Sequence, residues 1–239
     1  MEFLHFLSRQ RDRYSTDLRY SEKYWSLSAL TFSGVKEFKT IIKKYAHGKL
    51  LDAGAGSLNL RVWLESNCSQ YISLDISDER GEVDTVGDIQ NMPQVSSDQF
   101  DTVFSSQVLE HVPEPWKAIG EFHRVLRQGG TVIISVPHIS GLHEEPHDYY
   151  RYTPYSLRFL LQHYGFEIKE ELRLGGLLSF LFHPISFVLV LSFWPVFMIR
   201  WVIWWINTMI FVHPILWLER LLKLDRKYPA NLLIVARKI

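Results

Sequence analysis

Two stretches of this 239-residue chain gather residue types that do chemistry. The first is Leu50-Leu51-Asp52-Ala53-Gly54-Ala55-Gly56-Ser57, an apolar run that ends in an acid and two glycines. Glycines in such a turn let the backbone approach a ligand with no Cβ atom in the way. Asp75 closes the next apolar run, 21 residues after Gly54, the spacing at which an acid meets ribose hydroxyls in nucleoside sites. Gly87-Asp88-Ile89 follows a third short run, where Asp88 can accept a hydrogen bond from an adenine amino group. The second stretch is Pro137-His138 and then His143-Glu144-Glu145-Pro146-His147-Asp148-Tyr149-Tyr150-Arg151-Tyr152-Thr153-Pro154. A loop this dense in His, acid and Tyr points to function rather than to solubility.

The glycine turn discriminates between ligands. A dinucleotide fingerprint needs a third glycine three residues after the second, where this chain has Asn59. It also has no use for Asp52, whereas a cationic amino-acid group does. The turn therefore fits S-adenosylmethionine better than NAD. The string His143-Glu144-Glu145-Pro146-His147 matches the zinc-protease pattern letter by letter. That chemistry needs both histidines on one face of a continuous helix, and Pro146 removes a helical hydrogen-bond donor inside it. No metal site is expected from this string.

The elements that must position these residues alternate. Val35, Phe38, Ile41, Ile42 and Tyr45 recur at helical spacing. Short apolar runs at Lys49–Ala53, Tyr71–Asp75, Asp101–Phe104 and Thr131–Val136 read as strands. Helix signals lie at Leu58–Glu65 and at Pro115–Leu126, the latter stopped by Gly129-Gly130. A helix at Pro154–Tyr164, a strand at Phe166–Leu172 and a last strand at Leu232–Ala236 complete the pattern. Short, continuously apolar strands separated by helices predict a doubly wound α/β sheet covered on both faces.

Taken in order, Asp52-Ala53-Gly54-Ala55-Gly56, Asp75, Gly87 to Pro93, Phe100-Asp101-Thr102-Val103, Leu109-Glu110-His111-Val112 and Arg124 to Gly130 resemble a class I S-adenosylmethionine-dependent methyltransferase. The resemblance spans roughly residues 48–136, and Asn231–Arg237 is similar to the family's last strand. It implies a Rossmann-like sheet of seven strands, the last antiparallel, and methyl transfer that leaves S-adenosylhomocysteine. Leu58 stands where a third glycine is common in the family. The resemblance makes Asp52, Gly54, Gly56, Asp75, Asp88, Ile89 and Gln107 the cofactor-binding set, and lays Ser105 to His111 along the methionine moiety. An oxygen acceptor also needs its proton removed. His147 is the expected base, ordered by Asp148 or Arg151. His111 is a second candidate, or a structural side chain holding its loop. The alternative for His147, Asp148 and Arg151 is a hydrogen-bonded strap that closes the pocket.

One segment departs from the soluble pattern. Leu174 to Leu218 holds a single charged side chain, Arg200, and five of the eight tryptophans. The expected domains are a methyltransferase core at 1–173 plus 224–239, its residues 1–47 forming N-terminal helices, and an apolar helical insert at 174–223 ahead of the last strand. The stretch Arg9–Trp25, with Tyr14, Tyr20 and Tyr24, is either a lid over the cofactor or a solvated helix. Gly176–Ile199 would extend about 36 Å as a helix and Trp201–Leu218 about 27 Å, against a hydrocarbon core of roughly 30 Å. Because the flanking strands join one sheet, the insert must return to the side it left. It is expected as an embedded pair or a spanning hairpin, the bland alternative being an internal core or dimer interface. Tryptophans favour interfacial depth, and Arg200 would lie at the far turn of a hairpin or snorkel from an embedded pair. Arg220, Lys223, Arg226 and Lys227 suit an anionic cytoplasmic leaflet, diluted by Glu219 and Asp225.

Composition bounds the rest. Lys plus Arg and Asp plus Glu are 26 each, so the formal charge is zero, which gives no support to nucleic-acid binding. The single Cys68 excludes an internal disulfide, and Met1-Glu2-Phe3-Leu4-His5 lacks the marks of a signal peptide. The expected function is methyl transfer at the cytoplasmic face of a membrane to a lipid or lipid-linked acceptor of glycan, quinone or phospholipid type. The alternatives are a catalytically inactive membrane scaffold of the same fold, or a tethered enzyme with a soluble acceptor.

Overall fold

The apolar runs become the strands of one sheet in the computed structural model, which describes residues 2–19, 21–78 and 81–239. Tyr20, part of the expected lid, lies outside them. In chain order the elements are α1 (Glu2–Asp17), α2 (Ala29–Phe32), α3 (Val35–Tyr45), β1 (Lys49–Ala53), α4 (Arg61–Glu65), β2 (Gln70–Asp75), β3 (Thr85–Val86) and β4 (Phe100–Ser106). Then follow α5 (Pro115–Val125), β5 (Leu126–Pro137), α6 (Pro154–His163) and β6 (Phe166–Leu174). The remaining elements are α7 (Leu177–Phe193), α8 (Phe197–Asn207), a π-helical segment (Thr208–Val212), α9 (His213–Leu221), α10 (Leu224–Lys227) and β7 (Asn231–Lys238).

The sheet has seven strands in the order β3-β2-β1-β4-β5-β7-β6. β3, β2, β1, β4 and β5 run parallel, and β7 pairs antiparallel with β5 from Thr131↔Arg237 to Pro137↔Asn231. This is the expected doubly wound sheet with its antiparallel last strand. Leu50, Leu51, Val103, Val132, Ile133 and Ile134 are wholly buried, as strands covered on both faces require. Strand order reverses between β1 and β4, and the carboxyl ends of the strands at such a switch point are where doubly wound sheets bind their ligands.

Two boundaries differ from the expected ones. The helix predicted from Leu58 starts only at Arg61, because Leu58 has φ +58° and cannot begin a right-handed helix. The helix before Gly129-Gly130 ends at Val125, ahead of the glycines. β5 starts at Leu126, which pairs with Phe100, and the register shifts between Phe100 and Thr102. Gly129, at φ +76°, lies inside that irregular strand rather than at a helix end.

Packing divides the chain into two units, 1–37 with 174–230 and 38–173 with 231–239. The sequence placed the N-terminal helices with the core; by packing, residues 1–37 belong with the apolar segment. Leu7, Tyr14 and Leu18 cluster with Val190, Leu191 and Trp194, so α1 is more than a solvated helix. α7 stops at Phe193, short of the expected Ile199, with Pro195 in the turn before α8. The second apolar helix is longer than expected, a continuous 25-residue stretch from Phe197 to Leu221. Its π-helical turn precedes Pro214, which has no N–H to give, and widens the helix where a bond is lost. Arg200 lies in the first turn of α8, just after the connection from α7, and is held within this unit. Asp17 Oδ2 accepts from both its Nη1 and Trp194 Nε1 at 3.0 Å, and its guanidinium lies over the rings of Trp194, Phe197 and Trp201.

Glu219 of α9 caps α7 from the side. Its Oε1 accepts from the Ser179 amide at 3.0 Å and its Oε2 from the Ser179 hydroxyl at 2.6 Å. The residue is 1% exposed, and a carboxylate at a helix N-terminus also meets the positive end of the helix dipole. Glu219→Ala would strip a buried amide and hydroxyl of their acceptor. We expect a loss of about 3 kcal/mol, read as an earlier urea transition in tryptophan fluorescence.

Candidate active site

The first turn is hung from its neighbour strand. The amides of Gly54 and Ala55 both donate to the Leu74 carbonyl, at 2.8 and 3.1 Å. Gly54 has φ +82°, and a Cβ there would overlap the methyl groups of Val108, in the turn after β4. Gly56, at φ +50°, donates its amide to Asp75 Oδ2 at 2.8 Å, and the position a Cβ would take beside it is open. Leu58 keeps a left-handed backbone in the place of the family's third glycine, at a cost of about 1 kcal/mol. Asp52, Gly54, Gly56 and Asp75 are thus brought together where β1 and β2 end.

Asp52 is 5% exposed and accepts the Tyr71 hydroxyl on Oδ2 at 2.7 Å. Burial pushes its carboxyl up to about 7, with the nearby Asp75 adding to the shift. Asp88 follows β3, and its carboxylate is held by the amide and side chain of Gln90 at 2.8 to 3.1 Å. A carboxylate has further lone pairs for an incoming amino group. Ile89 is buried beside it. Gln107, at φ +56°, is tied to β5 through its amide on the Ser135 carbonyl and its Nε2 on the Ser135 hydroxyl. Strained non-glycine backbone of this kind concentrates at ligand sites. The cradle fits the expected cofactor: open backbone at Gly56, a carboxylate at Asp75 and a buried acid at Asp52 that a cation would satisfy.

The second cluster joins the turn after β4 to the loop after β5. The amides of Tyr149 and Tyr150 donate to the Glu110 carbonyl, and the Tyr152 hydroxyl to the Leu109 carbonyl. His111 Nδ1 hydrogen-bonds the His147 carbonyl at 2.7 Å, which turns its Nε2 toward Glu110 and Glu144 at 3.9 and 3.8 Å. Asp148 and Arg151 do not order His147. They pair with each other through two bonds of 2.6 and 2.7 Å, and Asp148 also takes the His143 amide. Arg151 holds the Asp148 carboxyl well below the usual range, and its guanidinium also donates to the carbonyls of Ser140 and Gly141. That is the strap. The ring of His147 is exposed and meets the Tyr149 hydroxyl at 3.1 Å instead. The His143–His147 stretch is an irregular loop, so the two histidines share no helix face.

Glu110 was not singled out by the sequence. Its side chain is wholly buried, burial lifts its carboxyl to about 8, and neither oxygen has a hydrogen-bond partner among the described residues. An acid between Leu109 and His111 in a short turn gave no periodicity from which to read its burial.

The shift on Asp52 has a sign that can be tested. Below about pH 7 the carboxyl is protonated, and a cationic ligand must expel that proton to pair with it. We expect affinity for S-adenosylhomocysteine to fall as pH drops from 8 to 6, with proton release on binding. In Asp52→Asn the affinity is lower and this pH dependence is lost, as calorimetry in buffers of different ionisation enthalpy would show.

Residues 51–134 match the family described as a methyltransferase domain. No curated protein matches the chain significantly. Among solved structures, an S-adenosylmethionine-dependent methyltransferase from Archaeoglobus fulgidus is 18% identical, with 94% of this chain and 97% of that one covered at a TM-score of 0.54. A protein bound to the Trm112 methyltransferase activator of Haloferax volcanii is 16% identical, with 99% and 97% covered at 0.56. Phospholethanolamine N-methyltransferase 2 of Haemonchus contortus, in complex with phosphomonomethylethanolamine and S-adenosylhomocysteine, is 17% identical, with 86% and 53% covered at 0.53. Likeness at these identities speaks for the fold, and the family match across the glycine turn and the β4 and β5 segments speaks for the activity. The methyltransferase-domain match at 51–134 falls inside the unit of residues 38–173 with 231–239, and the chain is an S-adenosylmethionine-dependent methyltransferase.

Proposed function

We propose that this methyltransferase works at the cytoplasmic face of a membrane, on a lipid or lipid-linked acceptor. The observation that carries the proposal is the exposed apolar surface of α7 to α9. Met198 is 83% exposed, Phe197 69%, Trp217 66% and Trp205 58%, and Leu181 and Ile210 add to them. Large side chains left in water in such number favour transfer into a lipid interface, at about 1.5–3 kcal/mol for each one fully buried. Arg200, the one charge inside the segment, is already neutralised by Asp17. Glu219 is engaged with Ser179 and Arg220 is paired with Glu37 at 3.7 Å, so the basic stretch offers mainly Lys223, Arg226 and Lys227 beside Asp225.

The internal packing of this unit favours embedding over spanning. α7 has 17 residues, about 26 Å, which falls short of a hydrocarbon core of roughly 30 Å. α1 packs on the end of α7 and carries Arg9, Arg11, Asp12 and Arg13 with it. A spanning hairpin would drag those charges across the bilayer; a pair lying in the interface leaves them in water.

The bound cofactor would supply an electrophilic methyl group on a sulfonium. This chain's residues bind it, orient the acceptor and accept the acceptor's proton. Asp52, Asp75 and the glycine turn hold the donor, with Asp88, Ile89 and Gln107 beside it. The Asp148–Arg151 pair fixes the loop after β5. His147, aligned by Tyr149 and open to solvent, takes the acceptor's proton at its free Nε2 and passes it to water.

Two results are expected. The full chain should float with anionic vesicles and stay with them in 0.5 M NaCl, while a Met198→Asp, Trp205→Asp double variant stays in solution yet still binds S-adenosylhomocysteine. An unaltered protein that ignores vesicles, and transfers methyl groups only to water-soluble acceptors from a cell extract, would overturn the proposal. His147→Ala should lower kcat by about 10²–10⁴ with cofactor affinity unchanged, in an assay that follows labelled methyl groups into extracted lipid.

A further inference from the structure

We propose that Glu110, His111 and His143 form a binding site for a divalent first-row transition ion, with Glu144 at its solvent side. One ligand atom from each of the first three residues can be chosen so that all lie within 4.8 Å of one another. The rings of His111 and His143 stand edge to face with centroids 4.7 Å apart. His111 Nε2 has Glu110 Oε1 at 3.9 Å and Glu144 Oε2 at 3.8 Å. These separations are somewhat wider than those around a bound ion, and a small inward movement of the loop that carries His143 and Glu144 would close them.

Three features separate this cluster from a chance grouping. Glu110 is a wholly buried carboxylate with both oxygens unpartnered among the described residues, and Oε1 faces His111 Nε2. An orphan of that kind is strongly penalised by desolvation when ionised, which a coordinated cation would offset. The second feature is tautomeric. His111 Nδ1 meets the His147 carbonyl at 2.7 Å and His143 Nδ1 meets the Gly141 carbonyl at 3.1 Å. A ring nitrogen that donates to a backbone carbonyl leaves the other with its lone pair free, the arrangement metal-binding histidines adopt. The third is mixed softness. Two imidazoles with one or two carboxylates suit zinc, iron or manganese better than calcium or magnesium.

The site occupies the turn after β4 and the loop after β5, at the end of the sheet where the acceptor must meet the donor. Three or four protein ligands leave positions for water or an acceptor oxygen. An acceptor hydroxyl held there would lose its proton more readily, because a bound cation lowers the pKa of a coordinated oxygen. This role rests on the methyltransferase assignment; the ion site stands on its own geometry.

The test uses the full chain, stripped with a chelator, dialysed and titrated with Zn²⁺ and separately with Mn²⁺ by calorimetry. We expect one ion per chain at micromolar affinity or tighter. Glu110→Gln and His143→Asn should each weaken it at least tenfold, with an unchanged circular dichroism spectrum as the sign of an intact fold. The Gln variant keeps the shape of a buried residue and removes only its charge. A protein that binds S-adenosylhomocysteine but takes up neither ion overturns the site, as do variants that bind the ion like the unaltered chain. Loss of S-adenosylhomocysteine binding in the unaltered chain would count against the cofactor assignment and leave the ion titration to be judged alone.

Discussion

The placing of β7 between β5 and β6 is the constraint on which the rest of the molecule depends. Seven register pairs tie it to β5, and residues 174–230 must therefore leave the sheet and come back to a neighbouring strand. An apolar segment under that condition cannot cross a bilayer once. It folds back on itself, and it recruits α1 and α2 as partners. The same strand completes the cover of β5, which carries Ser135, the anchor of Gln107, and leads into the loop of His143 to Arg151. Site and apolar unit thus share one topological condition, although each has its own core.

The active-site end of the sheet is built by backbone contacts more than by side chains. Leu74 supplies a carbonyl to the first turn, Glu110 and Leu109 supply theirs to the loop after β5, and Ser135 supplies one to Gln107. Side chains are then left free for chemistry; of the two buried acids, Asp52 accepts the Tyr71 hydroxyl, while Glu110 has no hydrogen-bond partner among the described residues. Two buried acids raised by burial, one under the glycine turn and one under the histidines, are costs that a folded domain tolerates where a cation belongs. The ammonium group of a bound cofactor would answer the first, and a metal ion would answer the second.

Much of this was legible in the sequence, for identifiable reasons. Buried parallel strands are continuous apolar runs, so β1 and β2 appeared almost at their observed bounds. Asp52, Gly54, Gly56 and Asp75 could be picked out because strand ends fix their spacing. What stayed hidden depends on tertiary direction. Asp148 follows His147 in sequence but turns toward Arg151, since neighbouring side chains in an irregular loop share no face. Arg200 pairs with Asp17 across 183 positions, a distance over which no pattern in the chain carries a signal. Gly129 and Gly130 looked like a helix stop and proved to be part of a bulged strand. Glycine serves both ends equally well.

The same β7 has a consequence for biosynthesis. It follows the apolar helices in the chain, so a ribosome delivers Leu177–Leu221 before the strand that shields the open edge of β5. Until β7 arrives, the nascent chain presents an unpaired β edge together with a long oily segment, a combination prone to aggregate. Early capture of the helices by a bilayer or a chaperone would remove one of the two hazards while the other waits for synthesis to reach Asn231. Attachment to lipid would then be a step in folding as well as a location for the finished enzyme.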